Sequence, residues 1–342
     1  MNGKKLQINN MSILIFGGAG FVGRHYTEYF LKKGKTVEVI DNIAPLSGGV
    51  HPKKWKLFNP YKFKKKFIFI NQDCRSFFKK KLKKNYELVI NLAAIVGGRE
   101  VIENNPLAVA EDLEIDTAFW RWVVKNKIMI KHTITYSSSA AYPIHLQKRK
   151  KYRLLKETDI DFSNNFIGKP DLSYGWAKLN NEYLALLAYE KHGIKNTIFR
   201  PFSGYGSDQD LNYPFPSIIK RALNHKKKNN FIVWGSGYQM RDFIHIKDVV
   251  RGSLLIAKKI KNGKAVNLSS GNFLSFINLS KKILNILEKK NVHVLGNSTK
   301  PEGVFARGGS TFIQKKYGFV PKITINKGIK MAIQYFKENS LK

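Results

Sequence analysis

The chain has 342 residues, 43% of them hydrophobic, with 60 Lys and Arg against 24 Asp and Glu, for a net charge of +36. No stretch approaches the ~20 apolar residues of a membrane span. Residues 1–10 carry neither the apolar core nor the cleavage pattern of a signal peptide, and the single cysteine, Cys74, permits no intramolecular disulfide, which fits a reducing cytoplasm. The charge invites a nucleic-acid reading, but 49 of the 60 cations are lysines, scattered in runs such as 62–66, 79–84, 148–151 and 226–228. Arginine forks, not dispersed lysines, dominate specific base and phosphate recognition. Solvated faces and a compositional bias, shared by the abundant asparagine, account for the charge, and what remains is a potential that steers anionic substrates.

In chain order, residues 1–11 read as a leader, with Met11 a possible start. Ser12–Phe16 is a short apolar run that reads as a buried strand. It enters Gly17-Gly18-Ala19-Gly20-Phe21-Val22-Gly23, whose glycines at 17, 20 and 23 suit a tight turn, backbone approach to a pyrophosphate, and close helix packing. A helix follows, then a strand at Val37–Ile40 ended by Asp41, whose carboxylate can accept both ribose hydroxyls of NAD and repels the 2′-phosphate of NADP. Strand, turn, helix, strand and acid in register make the dinucleotide reading strong.

Phe67–Asn71 and Glu87–Asn91 read as further strands. Ala108–Asn126 reads as a helix with a bulky apolar face, Thr133–Tyr136 as a strand running into Ser137-Ser138-Ser139, and 144–170 as a polar, irregular loop beside the active site. Ser173–His192 is a long helix closed by Gly193, and Asn196–Phe199 leads to Arg200-Pro201. The alternation predicts an α/β, Rossmann-type, doubly wound parallel sheet over residues 12–200. Residues 201–342 form mainly a smaller substrate-binding lobe, with some segments returning to the sheet.

Tyr174 and Lys178, four apart at the start of a helix, share one face. A lysine cation beside the phenol favours phenolate and brings it nearer to working as a base at neutral pH, and the lysine can also donate to cofactor ribose hydroxyls. Ser138, at the carboxyl end of a strand, adds a hydroxyl at the same point. The chemistry is hydride transfer at a carbinol: tyrosine takes the hydroxyl proton, serine holds the oxygen, and NAD takes the hydride. Nothing in the sequence calls for a metal.

The order Gly-Gly-x-Gly-Phe-x-Gly, Asp41, Asp73, Asn91-Leu-Ala-Ala, Ser-Ser-Ser-Ala-Ala-Tyr, Tyr174-x-x-x-Lys178 and Arg200-Pro201-Phe202 resembles the extended short-chain dehydrogenase/reductase family. Within it, the chain resembles the NAD-dependent epimerases and dehydratases of nucleotide sugars, from about Ser12 to Lys330. The resemblance implies cofactor contacts from Gly17, Gly20, Phe21, Val22, Gly23, Asp41, Asn42, Asp73 near the adenine, Cys74, Leu92, Ala93 and Ala94 near the phosphates, Tyr174, Lys178, Pro201 and Phe202. It implies substrate contacts from Gly97, Gly98, Ser139 and Ser203, with Arg241 and Arg307 on the sugar-nucleotide phosphates. It also implies a homodimer paired through the helices around 108–126 and 173–189.

Asp73-Cys74-Arg75, Ser139-Ala-Ala-Tyr-Pro143 and Pro301-Glu-Gly-Val look most like the GDP-mannose 3,5-epimerase group. Those enzymes carry an acid/base cysteine where this chain has Ala140, and their lysine aligns with Phe215. Neither residue can move a proton at C3 or C5. The acidic residues that dehydratases and decarboxylases place after the serine are also missing, since Ser139 and Ala140 stand there. NAD, Tyr174, Lys178 and Ser138 suffice for 4-epimerisation through a keto sugar. The same groups leave open a nucleotide-sugar dehydrogenase or reductase. A catalytically silent NAD-binding or RNA-binding protein is a lower alternative, opposed by the presence of all three catalytic side chains.

Overall fold

The computed structural model describes residues 11–45, 47–95, 99–226 and 229–340. The first half runs β1 (Ser12–Phe16), α1 (Phe21–Lys32), β2 (Val37–Asp41), β3 (Phe67–Asn71), α2 (Cys74–Phe78), β4 (Tyr86–Asn91), α3 (Arg99–Asn104), α4 (Pro106–Lys125), β5 (Thr133–Tyr136), α5 (Leu172–His192) and β6 (Asn196–Pro201). Where the sequence predicts an element, its bounds agree within two residues, while α2 and α3 carry no prediction. The largest shifts are the end of β6 at Pro201 and the start of α4 at Pro106, a first-turn position where the missing N–H of proline has no helical partner to lose. Gly193 ends α5 in the left-handed conformation (φ 67°), its amide reaching back to the Tyr189 carbonyl.

The second half runs β7 (Gly204–Tyr205), α6 (Pro214–Asn224), β8 (Phe231–Trp234), β9 (Met240–Asp242), β10 (Ile244–His245), α7 (Ile246–Ala257), β11 (Asn262–Leu268), β12 (Phe273–Ser275), α8 (Phe276–Ile286), β13 (Val294–Asn297), β14 (Ala306–Arg307), α9 (Phe312–Lys316) and α10 (Ile325–Ser340).

Seven strands form one sheet in the order β11-β6-β5-β4-β1-β2-β3, every pair parallel. β1 is buried throughout, and its side chains alternate between two cores. Ile13 and Ile15 join α1 and α7 through Tyr26, Phe30, Val249 and Val250, while Leu14 and Phe16 join α2, α4 and α5 through Phe78, Phe119 and Ala185. The Phe16 ring meets Phe78 and Trp122 edge-on at 4.8 and 5.5 Å. The chain leaves β1 toward β3, then returns to β4 on the other side. The switch point therefore lies between β1 and β4, and a ligand crevice is expected beyond their carboxyl ends.

The lobe has its own core, in which Phe215, Ile219, Phe231, Val233, Phe276 and Ile329 knit α6, α8 and α10 around the β8–β13 pair. The 144–170 segment is more tethered than its polar composition suggests. Leu155 and Ile160 pack with Tyr142, Leu179 and Phe202, and the Leu155 amide donates to the Gly308 carbonyl.

Candidate active site

A cavity of about 1050 Å³ opens at the switch point and runs from the glycine turn into the lobe. At its sheet end, Gly17 has φ +71°, and a Cβ there would lie 2.6 Å from the Ala93 nitrogen. A Cβ on Gly23 would fall 2.4 Å from the Gly17 carbonyl oxygen and 2.5 Å from the Gly18 Cα, so the third glycine lets the helix sit on its own turn. Gly20 differs, since a Cβ there would meet only the Gly17 oxygen, at 3.2 Å, on the cavity wall. Gly20 caps α1 with no side-chain hydrogen bond, and the first turn has no acid. Gly20, Phe21, Val22 and Gly23 line the cavity, so a bare helix N-terminus with room for a pyrophosphate is in place. This cradle fits a dinucleotide.

Leu92, Ala93 and Ala94 form the facing wall, and Pro201, Phe202 and Ser203 the next. Asp41, Asn42, Asp73 and Cys74 stand outside the lining. Asp41 accepts hydrogen bonds from the Ala19 amide (2.9 Å) and the Ile43 amide (2.8 Å), so it clamps the glycine turn to the loop after β2. Asp73 caps α2 through the Arg75 amide (2.7 Å) and pairs with the Arg75 guanidinium (2.8 Å). Asn42 reaches Asp73 at 3.4 Å. The Cys74 thiol is buried beside Phe78, and burial pushes it up to about 12. Gly97 and Gly98 lie outside the described residues.

At the centre Ser138, Tyr174 and Lys178 line the cavity together. Ser138 sits just past β5 and caps the short turn Ser139–Ala141, accepting from the Ala140 amide at 3.1 Å. Gly175 lets α5 close on that turn, because a Cβ there would lie 2.5 Å from the Ala140 oxygen. Lys178 Nζ stands 5.5 Å from the centre of the Tyr174 ring.

The electrostatics correct one expectation. Burial raises the Tyr174 phenol above its ordinary value, and the Asp112 carboxylate adds to this; Lys178, the Ser138 hydroxyl and Arg307 pull it down without cancelling the rise. Burial likewise disfavours the Lys178 ammonium, but Asp112 and Asp116 outweigh it and hold the amine up. The lysine charge is shared with Asp112 Oδ2, 3.0 Å away, and so is not spent on the phenol by itself. Asp112 and Asp116 went unnoticed in the sequence. Their signal was there: two acids four apart on a helix face otherwise built from Val109, Ile115, Phe119 and Val123.

The lobe supplies the far wall. Arg241 lines it, its guanidinium donating to the carbonyls of Met240 (2.8 Å) and Val304 (3.0 Å). Arg307 also lines it, held by Asp171 at 2.7 Å and by Gln147 at 2.8 Å. Trp234, Phe276, Tyr213 and Arg221 complete it, and sequence reading had assigned none of these four. Ala140 and Phe215 are cavity-lining and buried, so neither position offers a proton-carrying side chain. Ser139, also buried, lines the cavity beside Ala140. Arg200 does not reach the cavity; it makes a fork with Glu182 (2.8 and 2.5 Å) that ties β6 to α5.

This geometry is that of a dinucleotide enzyme of the short-chain dehydrogenase/reductase class, and residues 13–269 match the NAD dependent epimerase/dehydratase family. The chain belongs to that family. It is similar to UDP-glucuronate 4-epimerase of Thermodesulfobacterium geofontis, with 27% identity over 95% of this chain and 96% of that protein. It is similar to GDP-mannose 3,5-epimerase of Arabidopsis thaliana, with 25% identity over 96% and 83%. Its fold matches the solved UDP-glucuronic acid 4-epimerase of Bacillus cereus in complex with UDP-glucuronic acid and NAD (TM-score 0.76, 21% identity, 96% of this chain and 100% of that one). No described helix is long and apolar enough to cross a membrane, and no described group of His, Cys, Asp and Glu could hold a metal ion.

Proposed function

We propose that this protein is an NAD-dependent nucleotide-sugar 4-epimerase. One observation carries the reading: a single cavity joins the glycine cradle, the Ser138–Tyr174–Lys178 centre and the two lobe arginines, with apolar Ala140 and Phe215 on its wall. The bound nicotinamide supplies a reversible hydride acceptor at the sugar carbinol. Tyr174 Oη, as phenolate, takes the C4 hydroxyl proton and returns it to the C4 oxygen after the keto sugar has turned to offer its other face. Ser138 Oγ donates to the same oxygen and holds it as the carbonyl forms. Lys178 draws the phenol toward ionisation against the burial that opposes it, and donates to the cofactor ribose. Arg241 and Arg307 hold the sugar-nucleotide phosphates, fixing the pyrophosphate while the keto sugar turns over between them and Tyr174. Asp41 and Asn42 meet the adenosine ribose and Asp73 and Cys74 the adenine end, reached by side-chain or main-chain shifts from the unliganded positions.

The protein acts as a cytoplasmic homodimer in this reading. The outer faces of α4 and α5 expose Leu107 (84%), Trp176 (52%), Leu113 and Tyr183, apolar area that a second copy would cover.

The test is proton NMR of the purified protein with UDP-, GDP-, dTDP- and CDP-sugars, trace NAD and no reductant. A new anomeric signal that grows to a fixed ratio and is lost in Tyr174→Phe is the expected result. Turnover only with stoichiometric NAD or NADH would make the protein a dehydrogenase or reductase instead.

A further inference from the structure

Asp116 is a buried carboxylate without a settled partner. It lies on α4 one turn beyond Asp112, 2% exposed, on the wall of the active-site cavity. Asp112, 1% exposed, is matched by charge: one oxygen accepts from the Ile95 amide at 2.6 Å, and the other forms an ion pair with Lys178 Nζ at 3.0 Å. Among the described residues, Asp116 has only a long hydrogen bond from Asn91 Nδ2, 3.5 Å, to Oδ1, and its Oδ2 has no hydrogen-bond partner. A carboxylate taken out of water with so little compensation is unstable as an anion and costly as an unpaired dipole.

The neighbouring charges do not resolve this. Lys178 on α5 attracts Asp116, Asp112 on its own helix repels it, and Asn91 on β4 is uncharged. With Asp112 already matched to Lys178 and burial holding the resting Tyr174 as a neutral phenol, an ionised Asp116 leaves these four side chains one negative charge in excess. The cavity beside it is where a cationic group would restore neutrality.

We propose that Asp116 is the counter-charge for the oxidised nicotinamide ring, ionised when that cation is bound and protonated when the ring is neutral. Oxidised NAD is the cationic member of the couple, and Tyr174 and Lys178 place its reacting end in this part of the cavity. The balance is simple. When the bound cofactor is reduced by two electrons and a proton from the mediators, the site loses one positive charge, and Asp116 takes up a second proton from solvent water. On reoxidation that proton leaves. Burial pushes the Asp116 carboxyl up to about 7, with Lys178 drawing it down and Asp112 raising it, so either charge state is within reach at neutral pH. The inference rests on NAD as the cofactor, and neither on the sugar nor on epimerisation.

The test uses the holoenzyme with its bound cofactor, poised against redox mediators between about pH 6 and 8. The near-ultraviolet band of the reduced ring reads the ratio of oxidised to reduced cofactor. Wild type is expected to gain up to about tenfold per pH unit in this ratio beyond the free cofactor, because one extra proton is taken up on reduction. Asp116→Asn should remove the extra pH dependence and move the ratio at pH 8 about tenfold toward the reduced form. Asp116→Glu should restore both. If Asp116→Asn keeps the wild-type pH slope, or if it loosens both cofactor forms equally and leaves the ratio unchanged, the proposal is wrong. If Asp116→Asn does not fold, Asp116→Ser gives the same reading, since it too removes the charge. A failure here with the NMR assay intact would overturn the counter-charge and spare the proposed activity.

Discussion

The two ends of the cavity are built on opposite principles. The cofactor end is made of backbone: glycines at 17, 20 and 23, the Ala93–Ala94 wall and the first turn of α1. Contacts there are set by the missing Cβ atoms of a contiguous turn. The lobe end is made of long side chains brought from four separate segments, with Arg221 on α6, Trp234 at the end of β8, Arg241 on β9 and Arg307 on β14. A backbone surface recognises what every dinucleotide shares. A side-chain surface assembled from distant segments can be altered one residue at a time without disturbing the glycine turn.

The most severe break lies between the two ends. Tyr174→Phe should lower turnover about a thousandfold while the bound cofactor remains, because the phenol moves the proton without building the cradle. Absorbance of the purified variant, together with the NMR assay, separates the two. At the backbone end, Gly23→Ala should cost about 3 kcal/mol of stability by overpacking the turn. Retention of cofactor and an unchanged melting temperature in that variant would contradict the packing described.

A third test concerns the join between the ends. Asp208, just after β7, pairs with Arg24 at 2.6 Å and His25 at 3.0 Å, pinning the lobe to the cofactor helix α1. Burial would raise its carboxyl, but His25 and Arg24 together hold it well below the usual carboxylate range. A depressed folded value stabilises above the ordinary carboxylate range and is lost as pH falls toward the folded one. Asp208→Asn should therefore cost about 2 kcal/mol at neutral pH, with the gap to wild type narrowing below about pH 4. Thermal melts across that range check it; a gap constant with pH would mean the pair does not hold the join.

At the side-chain end, Arg241→Ala should weaken nucleotide-sugar binding by about 30-fold and leave cofactor retention untouched. Loss of cofactor in that variant would erase the division of labour. The mildest change is Trp176→Arg on the outer face of α5, which should yield a folded monomer by sedimentation with little loss of stability.

The sequence determined the strands and the glycine turn of the cofactor half, though not α2 or α3. β1, β3 and β5 fall where the apolar runs place them, and the glycine segment 17–23 leads from β1 into the first residues of α1. These are local features, since a glycine with positive φ or an apolar pentapeptide declares itself within a few residues. It also determined that Ser138, Tyr174 and Lys178 belong together, because α5 starts where the spacing requires and Ser138 follows directly on β5.

What only the tertiary structure decided is charge and partnership. The sequence could not show that Lys178 shares its cation with Asp112, or that Asp116 stands beside them, because that depends on how α4 packs against α5. Nor could it show that Asp41 clamps the glycine turn while Arg307 is steadied by Asp171 across 136 residues of chain. Ionisation in a buried site follows from what stands within a few ångströms in space, and spacing along the chain carries that information only inside a single helix or turn.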